Sequence, residues 1–184
     1  MANKQPQVTE QTRANLTQAF WSLYLEKPIE KITIREITDR AGYNRATFYL
    51  YYRDVYDLFD QFEEGVLARV RALVDGHLMH DETLNLKQHM GLIVELAQQF
   101  DGYLPRLMSG DPSFSERLKA VITPLLDRFI LDGATQSEEE RRLLREFYAS
   151  GLLASINAWM VAPDRMPLGA FIDLIVGAVL PGRA

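Results

Sequence analysis

At 184 residues the chain has room for one ordinary domain, or a small one joined to a larger one, with a core that needs no covalent staples. Hydrophobic residues make up 47% and charged residues 24%, the balance of an ordered globular protein, and the absence of cysteine excludes disulfides, cysteine-ligated zinc, iron–sulfur clusters and a thiol nucleophile. A net charge of −5 excludes a uniformly basic nucleic-acid coat and leaves only a local basic patch for that role.

The polar start, MANKQPQVTEQ, lacks the apolar stretch of a secretion signal. The longest apolar run, Leu168 to Leu180, contains Asp173 and falls short of the ~20 residues of a membrane span. The expectation is a soluble cytoplasmic protein with no membrane partner. Helical periodicity dominates. Leu16, Ala19, Phe20, Leu23 and Tyr24 form one stripe of a first helix, capped at Thr9 and ended at Lys27-Pro28. Thr33-Ile34-Arg35-Glu36 is a capping box that opens a short second helix, whose inner face is Ile34, Ile37 and Ala41. Gly42 ends it, since a helix C-terminus favours a residue that tolerates positive φ.

Asn44 caps a third helix running to about Tyr52, and Asp54 caps a long fourth helix reaching roughly Gly76. The apolar rows of that fourth helix are Leu58, Phe59, Phe62, Val66, Val70 and Leu73. Further helices are predicted over about 84–100, 114–131, 138–161 and 166–180. Their breaks are Asp101-Gly102, the cap Asp111-Pro112, Asp132-Gly133, the capping box Ser137 to Glu140, and Pro163 and Pro167. The reading is an all-α protein of about nine helices. Residues 1–53 form a three-helix helix-turn-helix domain, 54–76 a shared linking helix, and 77–184 a larger helical bundle.

Residues 33–52, TIREITDRAGYNRATFYLYY, place a helix, a tight turn and a second helix in sequence, the helix-turn-helix pattern. Ile37, Ala41, Tyr43, Phe48 and Tyr52 have the spacing to face inward. Asn44, Arg45, Ala46, Tyr49, Leu50 and Tyr51 then face outward. An exposed face with an arginine, a leucine and two tyrosines is odd for solvent and suits DNA, where Arg and Asn read base edges and Tyr reaches phosphate. Residues 31–53 hold five basic and two acidic side chains, a local excess of three positive charges, and five of the eight tyrosines lie between 43 and 56. Thr33 and Asn44 also sit at helix starts, where backbone N–H groups favour phosphate.

Here the chain resembles the tetracycline-repressor (TetR) family of bacterial one-component regulators. The resembling residues are Ile34–Ala41, then Gly42-Tyr43-Asn44-Arg45-Ala46-Thr47-Phe48-Tyr49, then Tyr52-Arg53-Asp54 with Leu58 following, within a likeness covering about 9–75. The resemblance implies that Arg45 and Ala46 face bases, that Thr47, Tyr49 and Tyr51 contact phosphate, that Thr33 anchors the second helix on the DNA backbone, and that Leu50 meets a thymine methyl. Two positions depart from the family pattern. Val55 stands where many members carry a phosphate-binding lysine, so that Arg53 or Tyr56 must substitute, and Tyr43 stands where a small aliphatic residue is usual.

The resemblance also implies a homodimer, of the repressor kind, that binds a palindromic operator in double-stranded DNA and answers to a small-molecule effector. The segment Phe147–Trp159 resembles the C-terminal domain of a branch of that family common in Gram-positive bacteria. The expected dimerisation residues are Gly151, Ala154 and Ala158, a strip of small side chains, together with Phe171, Leu174, Ile175 and Ala178. The expected pocket residues are Phe100, Tyr103, Met108, Phe114, Tyr148 and Trp159, with ordinary core packing as the competing reading of each. His77, His80 and His89, the first two near Asp75, Asp81 and Glu82, raise a metal site, but no third ligand has suitable spacing, and they read as a solvated helix end with no metal. No hydrolase elbow, phosphate loop or metalloprotease motif is present, so no enzyme activity and no cofactor are expected. Two other readings stay open: a ligand-independent DNA-organising protein of the same fold, and a helical interaction module that has lost DNA binding.

Overall fold

The computed structural model describes residues 4–78, 86–100, 102–131 and 137–179. Nine α-helices and no strand are found among them. The turns expected at Asp101-Gly102 and Asp132-Gly133, the residues around His80, and the end of the last helix at Leu180 lie wholly or partly outside the described residues. The chain divides into two compact units, residues 1–65 and 66–184, and the division falls inside the fourth helix.

The first unit holds α1 (Lys4–Glu26), a 3-10 turn (Ile29–Lys31), α2 (Ile34–Ala41), α3 (Arg45–Tyr49) and the first half of α4 (Val55–Leu73). The expected stripe of α1 is buried from Leu16 to Tyr24, and Trp21 joins it. Its rings pack on those of α4: Trp21 and Phe62 have centroids 4.5 Å apart, Tyr24 and Phe59 5.4 Å. Burying one such side chain contributes about 1.5–3 kcal/mol. α1 starts earlier than Thr9. Pro6 is tolerated in a first turn, where its missing N–H needs no intrahelical partner, and the apolar row beginning at Leu16 says nothing about where the helix starts.

α3 is shorter than expected, ending at Tyr49 rather than near Tyr52. The backbone N–H of Arg53 donates to Asp57 Oδ2 at 2.8 Å and not back along the helix, so the ladder stops there. Asp54 Oδ1 accepts from the Asp57 N–H at 2.9 Å and starts α4, which becomes a π-helical turn over Val74–Leu78.

The second unit holds the rest of α4, then α5 (Leu86–Gln99), α6 (Leu104–Gly110), α7 (Pro112–Phe129), α8 (Glu138–Val161) and α9 (Leu168–Val179). α7 packs on α8, α5 on α9, and α6 on both α7 and α8. Val94, Leu107, Phe114, Ile122 and Ile156 form its interior. The short α6 is not visible in the periodicity, because seven residues with Pro105 in the first turn show too little of a repeat. The caps of α7 and α8 form as read: Asp111 Oδ1 accepts from the Ser113 N–H at 2.8 Å, and Ser137 and Glu140 close a capping box.

The capping box of α2 has a wider role. Thr33 Oγ1 accepts from the Glu36 N–H at 3.3 Å, and the Glu36 carboxylate accepts from the Thr33 N–H at 3.0 Å and pairs with Lys27 just beyond the end of α1. The Lys27 ammonium, then the Thr33 donors, pull the Glu36 carboxyl down from 4.5 to about 2. A carboxyl held lower in the fold than in the unfolded chain stabilises fully above its ordinary value and loses that contribution as pH falls towards its folded value. The melting temperature of the wild type should therefore fall more steeply than that of Glu36→Gln between pH 4.5 and about 2. Parallel curves would contradict the Lys27–Glu36–Thr33 link.

Candidate functional site

The recognition element is set by one turn. Gly42 adopts φ 77° and ψ 28°, the left-handed region that a side chain with a Cβ resists. The Tyr43 N–H reaches back to the Thr38 carbonyl at 2.9 Å, closing the Schellman arrangement at the end of α2. Asn44 Oδ1 then accepts from the Thr47 N–H at 2.8 Å and from Thr47 Oγ1 at 3.1 Å, which starts α3.

Rotation of α3 is fixed by what it buries. Phe48 and, just beyond the helix, Tyr52 are buried, as is Ile37 of α2. Two tyrosine hydroxyls tie the motif to α1: Tyr52 Oη lies 3.3 Å from Thr17 Oγ1, and Tyr43 Oη accepts from Asn15 Nδ2 at 3.1 Å. The ring at position 43 is thus accommodated half-buried, as a contact to α1. With Phe48 inward, Asn44, Arg45 and Ala46 are exposed, and so are Tyr49 at 58% and Leu50 at 77%. Tyr51 and Thr47 are half-buried.

The cations are not equivalent. Arg35 pairs with Asp39, Arg40 with Glu26, and Arg53 with Asp57. Arg45 and Lys31 have no ion-pair partner among the described residues, so the exposed guanidinium on α3 is uncommitted. Exposed ion pairs are worth little and exchange readily for phosphate, so Arg35 and Arg53 are available at small cost.

Some expected contacts are placed otherwise. Both donors of Thr33, its N–H and its hydroxyl, go to the Glu36 carboxylate, so its side chain works as a helix cap with no free donor for phosphate. The Thr47 hydroxyl is likewise engaged by Asn44. Val55 is buried at the start of α4 and belongs to the core. Arg53, 85% exposed, and Tyr56 are the neighbouring polar groups that face solvent.

In the second unit, helices α5, α7, α8 and α9 line a partly open cavity of about 210 Å³. Of the six expected pocket residues, Tyr148 lines it. Phe100 and Met108 line a separate void of about 40 Å³, and Tyr103, Phe114 and Trp159 line neither. Phe114 is fully buried, and Trp159 stacks on Phe171 at 5.0 Å while its Nε1 donates to the Met166 carbonyl at 2.8 Å. Phe171 therefore faces its own bundle and not a partner. His89, Phe129 and Ser155 line the larger cavity without having been expected there. A polar side chain inside the apolar face of α5 was the available signal for His89. No group of three or more potential metal ligands is assembled among the described residues.

Gly151, Ala154 and Ala158 of α8 and Leu174 and Ala178 of α9 are exposed, and Ile175 is half-buried. Leu143, Phe147 and Val161 extend the α8 strip, at 55%, 70% and 60% exposure. Together these side chains make an exposed apolar strip along α8 and α9. No described helix is long and apolar enough to cross a membrane.

Residues 16–62 match the family model described as "Bacterial regulatory proteins, tetR family". Over 80 residues the chain is 31% identical to an uncharacterized HTH-type transcriptional regulator, YxbF, of Bacillus subtilis (strain 168), a match covering 43% of this chain and 21% of that relative's length. Among solved structures, a TetR transcriptional regulator from Streptococcus agalactiae is similar with a TM-score of 0.70 at 19% identity, over 97% of this chain and 99% of that one. FadR from Bacillus halodurans is similar with a TM-score of 0.65 at 16% identity over 95% of both chains. FadR from Bacillus subtilis, solved in complex with stearoyl-CoA, gives 0.62 at 15% identity over 93% of this chain and 99% of that one. The likeness to solved structures extends along nearly the whole chain and shows the fold, and the match to the tetR family model lies on the helix-turn-helix of the first unit.

Proposed function

We propose that the protein acts as a homodimeric repressor that binds a near-palindromic operator and is released from it by a small molecule. The observation that carries the DNA-binding part is the outward face of α3: an uncommitted Arg45 beside exposed Ala46, Tyr49 and Leu50. Arg45 suits guanine O6 and N7, Leu50 a thymine methyl, and Tyr49 a phosphate oxygen. A dimer would present two such faces to successive major grooves about 34–36 Å apart, which requires two-fold symmetry in the site.

The exposed strip on α8 and α9 supports the dimer, since four helices from two subunits would bury it. The cavity in the second unit supports an effector. A small molecule bound there lowers DNA affinity only by its preference for a conformer that fits DNA badly. α4 runs from the first unit into the second and is the element through which such a preference would act.

Two measurements test this reading. In gel shifts on randomised duplexes, Arg45→Ala should lose base preference at one position per half-site, worth about 1–3 kcal/mol, whereas Tyr49→Phe should weaken binding to all sequences alike. Wild-type selectivity in Arg45→Ala would remove that side chain from base reading. In sedimentation equilibrium, Leu174→Glu should shift the protein from dimer to monomer, and its affinity for a two-half-site duplex should fall with it. A fully dimeric Leu174→Glu would place the interface elsewhere.

A further inference from the structure

The larger cavity has a composition that selects its occupant. Its polar side chains are His89, Tyr148 and Ser155, and no Lys, Arg, Asp or Glu lines it among the described residues. The rest of the wall is aliphatic, with the rings of Phe129 and Phe147. At about 210 Å³ it is larger than the voids of a well-packed interior. An apolar cavity of about 150 Å³ in another protein stays dry and takes up benzene, so this one has room for roughly eight to twelve non-hydrogen atoms. A charged group placed inside would lose its hydration and find no Lys, Arg, Asp or Glu to pair with.

The cavity also reaches the exposed strip. Three of its wall residues, Phe147, Gly151 and Ala178, are exposed, and Phe147 shows 70% of its surface. Gly151 and Ala178 belong to the surface on which the proposed dimer would form, so a second subunit seated there would cover the opening.

We propose that this cavity binds an uncharged, largely hydrocarbon molecule with a single hydrogen-bonding end, and that the second copy of the chain completes the site by closing its mouth. The inference rests on the dimeric, effector-binding reading given above and adds to it the ligand's chemical class and a linkage between occupancy and assembly. The polar end would meet Tyr148, Ser155 or His89, and the chain or ring would fill the aliphatic part. Because the partner closes the site, the molecule binds the dimer more tightly than the monomer, and by reciprocity it tightens the dimer.

The probe is 1-octanol, compared with octanoate and octanoyl-CoA, on the full chain. In calorimetric titration octanol should bind, with octanoate and octanoyl-CoA about a hundredfold weaker or worse. Ser155→Leu, which fills the cavity, should lose octanol binding while keeping the wild-type circular dichroism spectrum and DNA affinity. Tyr148→Phe, a smaller change, should weaken octanol by about fivefold if its hydroxyl is the anchor. In sedimentation equilibrium, saturating octanol should lower the dimer dissociation constant of the wild type and leave that of Ser155→Leu unchanged. Octanoate or octanoyl-CoA binding as well as octanol overturns the ligand class. No octanol binding, or binding retained in Ser155→Leu, overturns the site. A dimer constant indifferent to octanol overturns closure by the partner. Octanol that binds and tightens the dimer without changing DNA affinity supports the cavity inference and counts only against the effector reading.

Discussion

Everything the first unit presents to solvent depends on how Phe48 is buried. α3 has five residues and makes few backbone hydrogen bonds of its own, so its orientation is imposed from outside. The Gly42 turn delivers the chain to the right place, burial of Phe48 fixes its rotation, and the buried Tyr52 reaches Thr17 of α1. Once those rings are inside, helical geometry leaves Arg45, Ala46 and Tyr49 no position but outside. The exposed leucine and tyrosine are then the consequence of a core constraint.

Electrostatics refines that surface more than it creates it. The chain is acidic overall, and most cations near the motif are already satisfied by carboxylates. Lys27 and Glu36 hold α2 to α1, and Arg40 with Glu26 does the same on the neighbouring face. Such pairs keep the scaffold in register and mute the local positive charge until a polyanion competes for it. Arg45 stands outside these pairs, which distinguishes it from the bracing cations.

Local hydrogen-bond patterns were the most legible part of the fold. Both capping boxes, the Asn44, Asp54 and Asp111 caps and the Gly42 terminus need only three to five consecutive residues, and each forms where the residues indicate. Element ends without such a pattern were less legible. The apolar row of α1 does not mark its start, the end of α3 turns on the bond from the Arg53 N–H to Asp57, and α6 is too short to show a period. The void was the hardest. Large rings such as Phe114 and Trp159 suggest a pocket by their size, yet size is what lets them fill space. The open volume instead lies where aliphatic side chains, Gly151 and Ser155 meet the rings of His89, Phe129, Phe147 and Tyr148, a meeting that depends on how four helices cross. The outward face of α3 was legible because five residues on a short helix have a single way to bury one phenylalanine.

The two units carry separate kinds of surface, one polar and basic on α3, one apolar on α8 and α9. Contact between α3 and DNA is the claim on which the rest turns, and photo-crosslinking at its most exposed apolar residue tests it most directly. With benzoylphenylalanine in place of Leu50 and a DNA fragment selected from the host genome by the wild-type protein, irradiation should yield a covalent protein–DNA adduct. A variant that still binds the fragment but gives no adduct from this position would show that α3 does not face the double helix.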